Sequence, residues 1–186
     1  MLRVMEVLTA DRDGFVTRPV QRARLLFGGI EGDRHFGLTR PSCSRTPWHA
    51  RGTVIANTRQ ISILSAEECA EIARRLAITR VEPRLIGANL VLAGDPDLSG
   101  LAPAARLVFK SGAVLFVTEE NHPCRHAGKA LADEFGEPRL ELEFVRAAEG
   151  RRGLVAMVER EGEVAAGDEA RVVVPRSHRS GTRKPR

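Results

Sequence analysis

The chain has 186 residues, 42% of them hydrophobic and 28% charged, a balance that excludes a wholly disordered or fibrous polypeptide. Its length suits one domain, over residues 1–175, that buries ~70% of the surface of its unfolded chain. The net charge of +5 suggests a polyanion partner, yet the excess lies wholly in residues 176–186, which hold five basic side chains and no acid. Upstream of that tail, strand-like runs occur at 4–8, 21–27, 60–64, 85–92, 106–109, 114–118, 153–158 and 170–174. Many short strands predict a mainly β fold, a sandwich or barrel. Ser111-Gly112, Glu161-Gly162 and Gly167-Asp168 read as the turns between them.

Two helices interrupt this pattern. Ser65 can cap the first, and Glu68 can close a capping box. Cys69, Ile72, Ala73 and Leu76 then form one apolar stripe. The second spans about 125–135, with Ala127, Leu131 and Phe135 in register, and stops at Gly136 with Pro138 beyond. Residues 139–146 fit either a strand or a helix, since Leu140, Leu142 and Phe144 alternate while Leu140 and Phe144 also share a helical face. Residues 28–37 place four glycines around Asp33-Arg34-His35, a composition that brings backbone close to a ligand. Residues 39–52, with two prolines and Trp48, read as a mobile loop or lid.

The sharpest chemical feature is Asn121-His122-Pro123-Cys124-Arg125-His126, between a strand and the second helix. A cysteine at a helix N-terminus meets the positive end of the dipole, and Arg125 with two histidines adds positive potential, conditions that favour a thiolate. Such a thiolate can ligate a soft metal, carry a persulfide or attack an electrophile. Cys69 reads as a small core residue. Cys43, in the irregular loop, is either a resolving thiol or inert, and the inert reading is preferred. A zinc site from His122, Cys124 and His126, with His35 or His49, matches no standard ligand spacing. Arg34 and His35, Arg59-Gln60, Asn89, and Arg151-Arg152 are anion-binding material, able together to hold a phosphate and a heterocycle. With 26 Arg and 3 Lys, however, an arginine near any loop is common.

The basic tail carries Ser177, Ser180, Gly181 and Pro185 without apolar periodicity and reads as a flexible, solubilising appendage. With 4% aromatic residues and no Tyr there is little to stack bases, so binding of nucleic acid through the tail ranks last among the readings. Arg3 and Glu6 interrupt any N-terminal apolar segment, and the longest apolar runs are strand-sized against the ~18 residues of a spanning helix. A cytoplasmic protein without a membrane partner is expected. An odd number of cysteines points to reduced thiols.

Five blocks in order resemble the MOSC family, named for the C-terminal domain of molybdenum cofactor sulfurases. They are the run from Gly29-Ile30-Glu31-Gly32-Asp33-Arg34-His35 to Gly37, the run from Asn57-Thr58-Arg59-Gln60 to Ser65, Gly87-Ala88-Asn89-Leu90, Asn121-His122-Pro123-Cys124-Arg125-His126-Ala127-Gly128, and Arg151-Arg152-Gly153-Leu154-Val155-Ala156 leading to Gly167-Asp168. They span nearly the whole chain to about Val174. The resemblance implies a strongly curved β-barrel with a few helices. It also implies that Cys124 is the family's cysteine, which ligates molybdenum of the pterin cofactor or carries sulfur, with Arg34, His35, Arg59, Asn89 and Arg125 as candidates around the cofactor. A pyridoxal-phosphate desulfurase domain has neither the length nor a lysine context here, so no pyridoxal phosphate is expected. The chain is similar to small stand-alone bacterial members that reduce N-hydroxylated compounds. The leading expectation is therefore a molybdenum-cofactor oxidoreductase acting on a small-molecule substrate. It shows no nicotinamide or flavin fingerprint, so its electrons would come from a separate reductase. The alternative is a persulfide carrier on Cys124, fed by a cysteine desulfurase.

Overall fold

Alternating side chains along short strands dictate a sheet with two apolar faces, and both faces are used. The computed structural model describes residues 1–10 and 14–175. Its elements run β1 (Leu2–Thr9), β2 (Arg18–Val20), β3 (Arg22–Leu26), β4 (Gly29–Ile30), β5 (Thr39–Pro41), β6 (Val54–Ala56), β7 (Ile61–Ser65), α1 (Ala66–Leu76) and β8 (Leu90–Ala93). They continue with β9 (Arg106–Phe109), β10 (Val114–Glu120), α2 (Arg125–Phe135), α3 (Leu140–Ala147), β11 (Leu154–Arg160), β12 (Gly162–Ala165) and β13 (Glu169–Val173).

Seven strands close a barrel in the order β13-β9-β10-β11-β7-β8-β1, sealed where β1 pairs with β13 at Leu2 and Ala170. Every neighbour in the ring is antiparallel except β7 and β8, which are parallel and joined by α1 and the segment after it. β2 extends the sheet from β1, while β12-β3-β4 and the β5–β6 hairpin form smaller sheets. Leu90 and Leu92 face the barrel interior with Ile61, Ile63, Leu115 and Leu154. Their neighbours Val91 and Leu64 face outward, onto a second apolar layer with Ile72, Leu76, Leu131, Leu140 and Phe144 of the helices. Period-2 alternation thus serves two cores at once.

Ser65 caps α1, accepting from the Glu68 amide at 3.2 Å. The Glu68 carboxylate does not complete a capping box. It is buried and accepts from the amide and the hydroxyl of Ser99, both at 2.9 Å, while Glu67 takes the Ser65 hydroxyl. Residues 139–146 resolve as helix, because one face buries Leu140 and Phe144 and leaves Leu142 exposed. The run at 85–92 is not one strand. Pro83 starts a 3-10 turn that Gly87 ends at φ +72°, so the strand begins only at Leu90. Residues 39–52, read as a lid, begin with β5, and the loop beyond it is closed by its own bonds. Ser42 donates from its amide to Thr53 O and from its hydroxyl to Ala50 O, and Thr46 caps the turn at Cys43. The basic tail lies outside the described residues. No helix among the described residues is long and apolar enough to cross a membrane.

Candidate functional site

Three neighbouring barrel strands bring their ends together. The pairings Glu120 with Leu154 and Leu154 with Ile63 set the end of β10, the start of β11 and the middle of β7 side by side. Against them lie the β5–β6 hairpin, the 28–37 segment and the 3-10 turn, enclosing a cavity of about 240 Å³. Ser62, Asn121 and Val155 line it from the strands, Gly87 from the turn, and Phe15 and His35 from the loops. Cys124 and His122 enter from the start of α2. Four arginines, Arg40, Arg45, Arg59 and Arg152, and a second thiol, Cys43, complete the wall.

Cys124 is the N-cap residue of α2, yet its side chain makes no capping bond; the residue lines the cavity while packing in part against the outer apolar layer of the helices. A polar chain runs beside it. Arg59 pairs with Glu119 at 2.7 Å and donates to Asn121 Oδ1 at 2.9 Å; Asn121 Nδ2 donates to Ser62 Oγ at 3.1 Å; Arg152 Nη1 approaches the same hydroxyl at 3.5 Å. Arg152 is 5% exposed, donates also to Ile86 O, and faces no carboxylate in any ion pair of the described residues. Burial pushes its guanidinium down to about 10, with nearby Arg45 and Arg59 adding to the effect. Burial likewise lowers Arg59, opposed by Glu119. Arg40 Nε is a buried donor with no acceptor among the described residues. Among the described residues the wall is therefore short of negative charge, as a site for an anion requires.

The sequence-derived candidates divide. Cys124, His35 and Arg59 line the cavity, whereas Arg34, Asn89 and Arg125 do not. Arg34 reaches Gly14 O on the surface, and Arg125 is exposed and paired with Glu141. Asn89 is buried as an anchor. Its amide nitrogen donates to Leu8 O and Asp33 Oδ2, and its oxygen accepts from the Ser62 amide at 3.0 Å, so it positions a wall residue without facing the ligand space. Asp33 also accepts from the Ala10 and His35 amides and lies 3.2 Å from His35 Nδ1. Burial works to raise its carboxyl, but these hydrogen bonds prevail and hold it below its ordinary value. Gln60, offered with Arg59, is likewise structural, bonded to Phe27 O and the Val158 amide. Among the described residues no three His, Cys, Asp or Glu side chains gather to hold a metal, so the zinc reading has no ligand set.

Arg40 and Arg45 escaped the sequence reading because they sit in the segment taken for a lid, among many arginines. Their only local signal is the spacing Arg40-Pro41-Ser42-Cys43-Ser44-Arg45. Cys69 borders a different groove, beside α1, where burial pushes its thiol up to about 12.

A family model described as MOSC domain matches residues 31–171. The chain belongs to the MOSC domain family. A curated Bacillus subtilis protein named putative metal-sulfur cluster biosynthesis protein YuaD is 45% identical over 164 residues, 88% of this chain and 85% of that one. The crystal structure of YuaD superposes with a TM-score of 0.90 at 43% identity, covering 92% of this chain and 96% of its own. YiiM from Geobacillus stearothermophilus shares the fold at a TM-score of 0.63 and 15% identity, over 93% of this chain and 75% of its own. The MOSC domain here is thus a closed seven-stranded barrel with its helices on one outer face.

Proposed function

We propose that this MOSC domain binds a molybdenum cofactor in the cavity, with Cys124 as the metal's thiolate ligand, and reduces N-hydroxylated compounds with electrons from a separate reductase. The observation that carries the reading is one thiol, unused in helix capping, on a wall with four arginines. This donor set suits the group: the thiol is a soft ligand for a metal, and guanidinium groups suit the phosphate and other anionic parts of a pterin cofactor. When bound, that cofactor supplies oxygen-atom transfer. The residues of the chain supply the rest. Arg40, with its orphaned Nε, Arg45 and Arg152 bind negative charge, and Glu119 with Asn121 fixes the orientation of Arg59. Phe15 and Val155 exclude water from part of the wall. The test is molybdenum and pterin content, with N-hydroxylated substrate turnover, for protein made in a host that synthesises the cofactor. Cys124→Ser is expected to lose metal and turnover; retention of both would overturn the proposal.

A second reading, sulfur carriage as a persulfide on Cys124, is favoured by Cys43 on the same cavity. The name of YuaD, which refers to metal-sulfur cluster biosynthesis, points the same way. Incubation with a cysteine desulfurase and cysteine should then add one sulfur to Cys124, read by mass spectrometry.

A further inference from the structure

Cys43 sits in the loop between β5 and β6, and it and Cys124, brought from the start of α2, line the same cavity. Both thiols are free and partly buried. The backbone places Cys43 firmly, since its amide donates to Thr46 Oγ1 at 3.1 Å and its carbonyl accepts from the Thr46 amide and hydroxyl. Among the described residues, by contrast, the donors to its sulfur are cationic or amide groups. Arg40 Nη1 donates to it at 3.7 Å, while Nε of the same guanidinium has no partner among the described residues. The Arg45 amide, chiefly, with Arg40 and Arg45 charge behind it, lowers this thiol against the opposing effect of burial. Such surroundings favour a nucleophilic sulfur and stabilise an anion leaving beside it.

We propose that Cys43 resolves a persulfide carried on Cys124, an inference that rests on the sulfur-carrier reading. The Cys43 thiolate attacks Cys124 Sγ, forming the Cys43–Cys124 bond as the bond to the outer sulfur breaks. That sulfur departs as hydrosulfide with the persulfide's proton, reduced by the two electrons that the two cysteine sulfurs give up in becoming a disulfide. A dithiol reductant supplies two electrons and two protons to regenerate both thiols. Cys43 therefore makes this MOSC domain a sulfide-releasing device, in which sulfur leaves next to Arg40. Cys69 stays outside the cycle, buried against the helices.

The experiment uses the full chain under anaerobic conditions, loaded by a cysteine desulfurase with cysteine. Wild type is expected to release hydrosulfide and to yield a Cys43–Cys124 cross-linked peptide. Cys43→Ser should keep the added sulfur on Cys124, with release slowed about tenfold or more. Cys43→Ala serves as the second variant, because the contacts that shape the turn come from the backbone. Sulfur persisting on Cys124 in wild type, or release from both variants at the wild-type rate, overturns the role of Cys43 and leaves carriage by Cys124 standing. Failure of Cys43→Ser, Cys43→Ala and wild type alike to gain sulfur overturns carriage itself, and the resolving role with it.

Discussion

Replacing Arg152 with methionine should leave the fold as stable or more stable while weakening its hold on anions. A base whose pKa is lower in the folded than in the unfolded chain costs stability wherever both states are protonated. That cost is present in full at pH 7 and fades only as the pH rises through the folded value of about 10. The fall from the ordinary guanidinium value to about 10 corresponds to roughly 3 kcal/mol. Methionine removes this cost but forfeits the bonds to Ile86 O and Ser62 Oγ, a loss of about 1–3 kcal/mol. The balance lies between neutrality and about 2 kcal/mol of added stability, or a Tm up to roughly 8 °C higher for a domain of this size. Thermal unfolding followed by circular dichroism reads it, with and without inorganic phosphate at matched ionic strength. Phosphate should raise the Tm of wild type more than that of the variant, since an anion in the cavity relieves the buried cation. A variant that unfolds well below wild type shows that burying the guanidinium costs less than the bonds it makes. One that gains as much from phosphate as wild type refutes the placement of Arg152 in the anion site.

Gly153→Ala should be strongly destabilising. At φ +82° the residue is in the left-handed region, and an added Cβ would lie 1.9 Å from Ile63 O across the β7–β11 pairing. Strain and forced strand separation together amount to about 2–5 kcal/mol, read by urea unfolding; a midpoint equal to wild type contradicts the close approach. Asp33, lowered by its hydrogen bonds, contributes stability that is present above the ordinary value of 3.8 and lost as the pH falls through its folded value. Asp33→Asn should accordingly show a shallower acid dependence than wild type in pH-dependent melts, and an unchanged slope counts against the network. Arg125→Ala, which breaks only an exposed pair with Glu141, should change stability by less than ~1 kcal/mol and leave phosphate stabilisation intact. Loss of that stabilisation would return Arg125 to the site.

The barrel was legible because Ile61, Ile63, Leu90 and Leu92 follow the period that a half-buried strand imposes, and α1 and α2 because caps and apolar stripes are local signals. β4, β5 and β6 were not, since two or three residues carry no periodicity and their pairing is decided by distant partners. The site divides in the same way. Cys124 could be found from its neighbours in sequence, but whether an arginine faces the cavity depends on tertiary placement. Arg125 follows Cys124 directly and points to Glu141, whereas Arg40 and Arg45 reach the cavity from a hairpin far away in sequence. Asn89 lay in the right block for a different reason, because the junction of β1, β7 and the 28–37 segment needs one side chain with both donors and an acceptor.

The seal of the barrel joins its earliest strand to its latest. Because β1 finds β13 only after almost all the intervening chain has been made, ring closure must be a late event in biosynthesis. Until then the Leu2–Arg3 end of that edge of β1 is open to the wrong neighbour, because β8 takes the opposite edge and β2 covers only Val7–Thr9. A nascent chain halted before Glu169 would already hold every residue that lines the cavity, yet no closed barrel behind them, so the ring is completed by a strand that contributes nothing to the cavity wall.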